Sequence, residues 1–186
     1  MAPSWQDLIL TSLGKAAQDA IREVQRQATA VQRKATGTTR TPSTDRGAPK
    51  LSRRYPGDYR GRPPISYDPH TGKLPDPGEV VWAWVPYEDD AKQGKDRPVL
   101  LVGREGDWFL GVYLSSTDHD ADEAQEKSVG RHWVKVGTGA WDTRRRESHA
   151  RVDRVVRIHP DDVRGRAEKL DKVRFDRVAA GIRKYA

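Results

Sequence analysis

Three apolar runs of strand length stand between Asp76 and Thr117: Val80 to Val85, Pro98 to Gly103 and Trp108 to Leu114. Each is rich in β-branched or aromatic side chains, which suit a pleated, half-buried surface. Charged breaks separate them, Glu88 to Arg97 and then Arg104 to Asp107. Gly106 in the second break suits a tight hairpin, because glycine takes positive φ at no steric cost. After an acidic loop from Asp118 to Glu126 come the run Arg131 to Val136, a turn through Gly137 and Gly139, and an alternating strand from Ala150 to Ile158. The alternation places Ala150, Val152, Val156 and Ile158 on one face of that strand. Pro160 then falls in the first turn of a closing helix whose stripe is Val163, Ala167, Leu170, Phe175, Val178 and Ile182, with Gly165 able to split off a first piece. Short strands at close intervals ending in a helix predict a mainly β, α+β domain over residues 76–186, a small SH3-like barrel closed by a C-terminal helix.

Ahead of it the pattern changes twice. From Ser4 to about Thr36, apolar residues recur at three- and four-residue spacing, and Ser4 with Asp7 forms a capping box. This predicts an N-terminal amphipathic helix over 1–36, narrowing to alanine after Leu13 and in need of a partner surface. Residues 37–75 are rich in Gly, Pro, Ser, Thr and Arg, which predicts an extended or disordered linker. Its end, Tyr55 to Arg62, interleaves aromatics with cations, a composition for stacking on bases or for lying over a barrel.

Charge sharpens this division. The net charge is +7, and residues 1–60 hold 11 Lys/Arg against 5 Asp/Glu. The basic excess thus lies in the N-terminal arm, which favours an anionic partner such as nucleic acid or simply keeps that segment solvated. No cysteine is present, which excludes disulfides and thiolate metal sites and fits a cytoplasmic protein. No run reaches the length of a membrane span, and the N-terminus lacks a signal-peptide pattern.

Two polar groups sit at strand ends: Gln93 to Pro98, containing Lys95 and Arg97, and Ser115 to Asp120, containing Ser116 and His119. An arginine and a hydroxyl cluster at neighbouring strand ends make a phosphate site, since a guanidinium offers a planar fork of charged donors. The two meet at one end of the sheet if their strands run antiparallel. The run around His119 fails calcium-loop spacing, because Glu123 stands where glycine is needed and Val129 where the closing glutamate is needed. The other histidines lack ligand spacing for zinc, so neither metal nor cofactor is expected. Ser115 and Ser116 have no Gly-x-Ser-x-Gly elbow around them. The acidic triplet Glu88, Asp89 and Asp90 flanks the arginine.

The order of these motifs resembles the PemK/MazF family of toxins from type II toxin–antitoxin systems, in an actinobacterial-type form with an N-terminal extension. The matching segments are Gly78-Glu79-Val80-Val81-Trp82, Gly94-Lys95-Asp96-Arg97-Pro98-Val99, and Leu114-Ser115-Ser116. The run Arg151 to Val155, followed by His159 to Asp162, looks like the family's last strand entering its C-terminal helix. The resemblance implies an SH3-like barrel, a homodimer, an antitoxin partner, DNA contact as a toxin–antitoxin complex, and metal-independent cleavage of single-stranded RNA by its own 2′-hydroxyl. It implies Arg97 as the stabiliser of phosphate charge, Ser115 as a hydrogen-bond donor to the scissile phosphate, and Ser116 as its support. Candidate RNA contacts are Trp84, Gln93, Lys95, His119, Arg144, Arg145, Arg146 and Arg151. Serine in place of the family's threonine keeps the hydroxyl and loses the methyl that restricts its rotamer. The alternative function is a non-catalytic nucleic-acid-binding module on the same barrel.

Overall fold

The computed structural model describes residues 51–117 and 123–186. The expected N-terminal helix, linker residues 37–50 and His119 lie outside the described residues.

Seven strands form one antiparallel sheet: β1 (Glu79–Pro86), β2 (Gly94–Glu105), β3 (Trp108–Ser115), β4 (Trp133–Gly137), β5 (Ser148–Arg151), β6 (Val156–Ile158) and β7 (Val163–Lys169). The path is β4-β5-β3-β2-β1-β7, with β6 also paired to β3. Among the described residues two α-helices accompany it, α1 (Glu123–Ser128) and α2 (Lys172–Tyr185). The first three strands are those read from the sequence, and the β2–β3 turn is Gly106-Asp107 with Gly106 at φ +54°.

Strand alternation sorts the apolar residues into two layers. Val80, Leu100, Val102, Leu110, Val112 and Leu114 face one side, where Phe175, Val178 and Ile182 of α2 cover them. Val81, Ala83, Val85, Val99, Leu101, Phe109 and Tyr113 face the other, with Val156 and Ile158. Only His159 and the turn Pro160–Asp162 separate β6, bonded to β3, from β7, bonded to β1. So short a connection across β3-β2-β1 requires the sheet to curl strongly over the second layer.

Two sequence readings are corrected. Val163 to Lys169 is a strand and not the first part of the closing helix, which begins at Lys172. The apolar positions 163 and 167 satisfy both a helical and an alternating period, and the free edge of β1 takes them as a partner. The run Ala150 to Ile158 is two strands, not one: Ala150 and Val152 pack in the α2 layer, whereas Val156 and Ile158 pack in the other. The irregular residues between them let the chain change faces and fill the edge of β3 twice.

Residues 51–75 lie along the sheet as a strap. Pro63, Ile65, Tyr67 and Pro69 are half-buried while their neighbours are exposed, so the segment alternates like a strand. Tyr59 bridges to Val155 and Ile65 to Gly103. The bulge in β2 between Leu101 and Gly103 frees the Val102 carbonyl to accept from Ser66 N at 2.9 Å. A Cβ on Gly103 would lie 1.9 Å from the Pro64 carbonyl oxygen, so only glycine admits this approach.

Candidate active site

Arg97 on β2 and Ser115 at the end of β3 line one cavity of about 520 Å³. The antiparallel register sets Val99 opposite Tyr113, and two further residues on each strand bring Arg97 opposite Ser115. Both side chains project on the face of Val99 and Tyr113, beyond the apolar layer that ends there. Gly94 lets β2 begin this close to β1, since a Cβ there would lie 2.6 Å from the Trp84 ring.

Four guanidiniums line the cavity, and three are engaged. Arg131 faces Glu126 at 3.6 Å, Arg154 binds Asp58 at 2.6 Å, and Arg151 binds Glu88 at 2.6 Å and Asp153 at 2.9 Å. Burial opposes the charge on Arg151, but its bonds to Asp153, Glu88 and the Tyr113 hydroxyl outweigh that cost and hold its pKa above the usual range. Arg97 has no ion pair with any described residue. Its guanidinium lies 4.7 Å from the centre of the Tyr113 ring, a cation–π contact that positions it without neutralising it. The Ser115 hydroxyl accepts from Thr117 N at 3.2 Å, which leaves its proton available to a ligand. A half-exposed cation and a hydroxyl donor facing one cavity can hold a tetrahedral oxyanion such as phosphate.

The remaining candidates spread out. Ser116 points to the opposite face and lines a second cavity of about 260 Å³ with Trp82, Trp141 and Arg146. Trp84 is buried at 6% exposure. Gln93 is exposed and donates to Asp90 at 2.9 Å; Lys95 is exposed on β2, two residues before Arg97. Arg144 and Arg145 are exposed in the loop before β5, where Asp142 accepts from Arg144 N at 2.9 Å and from Arg146 Nε at 2.8 Å. Those bonds hold the Asp142 carboxyl below its usual pKa. Arg151 alone of the basic candidates shares the Arg97 cavity.

Sequence reading missed Tyr113 as the platform for Arg97, although alternation from Ser115 points to it. It also missed His149, a buried residue paired with Ser115 on one side and Lys135 on the other. Its sequence position carries no signal, because the pairing of β5 with β3 is purely tertiary. The acidic triplet was visible, but only the fold shows that Glu88 reaches Arg151.

Comparison with known proteins adds to this geometry. Residues 76–186 match the family model described as PemK-like, MazF-like toxin of type II toxin-antitoxin system. The chain belongs to that family. Membership makes an antitoxin its implied partner, and it places both Arg97 and Ser115 inside the matched region while the strap lies outside it. No curated protein matches the chain. Among the described residues no helix is long and apolar enough to cross a membrane.

Proposed function

We propose that the chain is a toxin acting as a metal-independent endoribonuclease on single-stranded RNA, with Arg97 as its central residue. The observation that carries this is the Arg97 guanidinium, without an ion pair among the described residues, held over Tyr113 in a cavity shared with the Ser115 hydroxyl. RNA brings its own nucleophile, so the protein needs none. The 2′-oxygen bonds to phosphorus while the bond to the 5′-oxygen breaks, and the 2′-hydroxyl proton ends on the leaving oxygen. Negative charge grows on the non-bridging oxygens in between, and Arg97 stabilises it as a preorganised donor. Ser115 donates a second bond to the same phosphate. On this reading the curled sheet is the family's SH3-like barrel, the working unit is a homodimer, and the antitoxin acts by covering the Arg97 cavity.

The test is cleavage of an unstructured RNA in excess chelator, followed by separation of the fragments. Wild type should cut, and Arg97→Ala should lower the rate at least ~100-fold, the scale for removing one preorganised charge stabiliser. Undiminished cleavage by Arg97→Ala would overturn the reading. Binding of RNA without any cleavage by wild type would instead favour the non-catalytic module.

A further inference from the structure

We propose that the cavity between the strap and the β1–β2 loop is a nucleotide subsite of the Arg97 groove, recognising one base of the RNA beside the scissile phosphate. The inference rests on the endoribonuclease reading and adds a site built by residues outside the family-matched region. This cavity measures about 490 Å³, within the ~300–1,000 Å³ typical of small-ligand sites. It shares Tyr87, Glu88 and Arg154 with the Arg97 cavity, so the two lie side by side.

Its walls carry the groups that nucleotide recognition needs. Tyr87, on the β1–β2 loop, exposes 42% of its surface and offers a stacking face. Arg60 on the strap is exposed, with no ion-pair partner among the described residues, and can meet a backbone phosphate. Glu88 is bound by Arg151 through one carboxylate oxygen, and its other oxygen, with no partner among the described residues, can accept from an amino group on a base edge. Uracil offers no amino group, so this arrangement favours adenine, cytosine or guanine.

The subsite is also held rigid. Arg154 binds both Asp58 oxygens, at 2.6 and 3.2 Å, and the Pro86 carbonyl at 2.8 Å. Arg157 donates to the carbonyls of Gly57 and Asp58, each at 2.9 Å, and pairs with Glu105. Two buried or half-buried guanidiniums therefore fix the strap to the sheet, and preorganisation of this kind lowers the ordering cost of binding. An acidic peptide is disfavoured here, because Asp58 and Glu105 already engage Arg154 and Arg157, while the Asp58 and Glu88 carboxylates repel further acidic side chains.

The experiment compares wild type, Arg60→Ala and Ala91→Trp. Both positions are exposed, and a tryptophan at 91 would fill the cavity from the loop side. Cleavage is measured on a dinucleotide and on hexanucleotides that differ in one flanking base, and binding on a hexanucleotide with a 2′-deoxy cleavage position. Wild type should prefer the hexanucleotide over the dinucleotide and discriminate against uracil at one flanking position. Each variant should reduce the hexanucleotide preference roughly tenfold, the lower end of losing a stacked base or a phosphate contact, and Ala91→Trp should erase the discrimination. Unchanged preference in both variants, with Arg97→Ala still inactive, would overturn the subsite and leave the Arg97 reading intact. Should wild type cleave nothing, the Arg97 reading fails instead, and equal binding of the deoxy hexanucleotide by all three proteins would overturn the subsite as well. Loss of antitoxin binding alone, with RNA behaviour unchanged, would assign the cavity to the protein partner and likewise overturn it.

Discussion

Ser115 and Ser116 are neighbours in sequence and belong to different cavities. Alternation along β3 turns one toward Arg97 and the other toward Trp82 and Arg146. On the proposed mechanism Ser115→Ala should lower the cleavage rate about tenfold, the worth of one hydrogen bond to a charged group. Ser116→Ala should stay within about threefold, and single-turnover kinetics on one RNA distinguish the two. A second residue-scale effect concerns Glu79, the acid that follows Gly78 in the family motif. It is 2% exposed and accepts from Arg166 Nε at 2.7 Å across β1 and β7. That role is structural, so Glu79→Ala should cost roughly 2 kcal/mol in a denaturant titration by removing the charge-assisted bonds that tie β1 to β7.

At the scale of elements, α2 is held by its first turn as well as by its apolar stripe. Asp171 is its N-cap and accepts from Arg174 N at 2.9 Å and from the Arg174 guanidinium. These bonds pull the Asp171 carboxyl below its usual pKa. A depressed pKa means that the stabilisation is present above the unfolded carboxyl's pKa and disappears as pH falls through the folded one. Asp171→Ala should therefore cost about 1 kcal/mol at neutral pH. Thermal unfolding of variant and wild type should converge as the pH drops below the ordinary carboxylate range. The β7 strand illustrates why elements near the C-terminus were harder to read. Val163 and Ala167 obey two periods at once, and only the open edge of β1 selects the extended one.

For the whole molecule, the strap decides more than the family boundary suggests. Tyr67 packs on Phe175 with ring centres 5.0 Å apart, and its hydroxyl donates to the Leu170 carbonyl at 2.8 Å. Tyr67→Ala should destabilise the domain by about 2 kcal/mol. A chain trimmed to residues 76–186 keeps every matched residue yet uncovers Phe175, Gly103 and the Arg154 side chain. Its denaturation midpoint should fall well below that of the full chain, and an unchanged midpoint would deny the strap any structural part.

The three leading strands, the Gly106 hairpin and the two polar strand ends were legible because each depends on local chemistry: β-branched runs, a glycine turn, charge at the breaks. Family resemblance was legible for the same reason, through short motifs in order. What tertiary structure alone decided is which of those residues meet. Antiparallel pairing of β2 with β3 joined Arg97 to Ser115, alternation sent Ser116 away, and long-range contacts recruited Tyr113, Glu88 and the strap. Such meetings depend on register and on edges left open elsewhere in the sheet, and no local pattern encodes either.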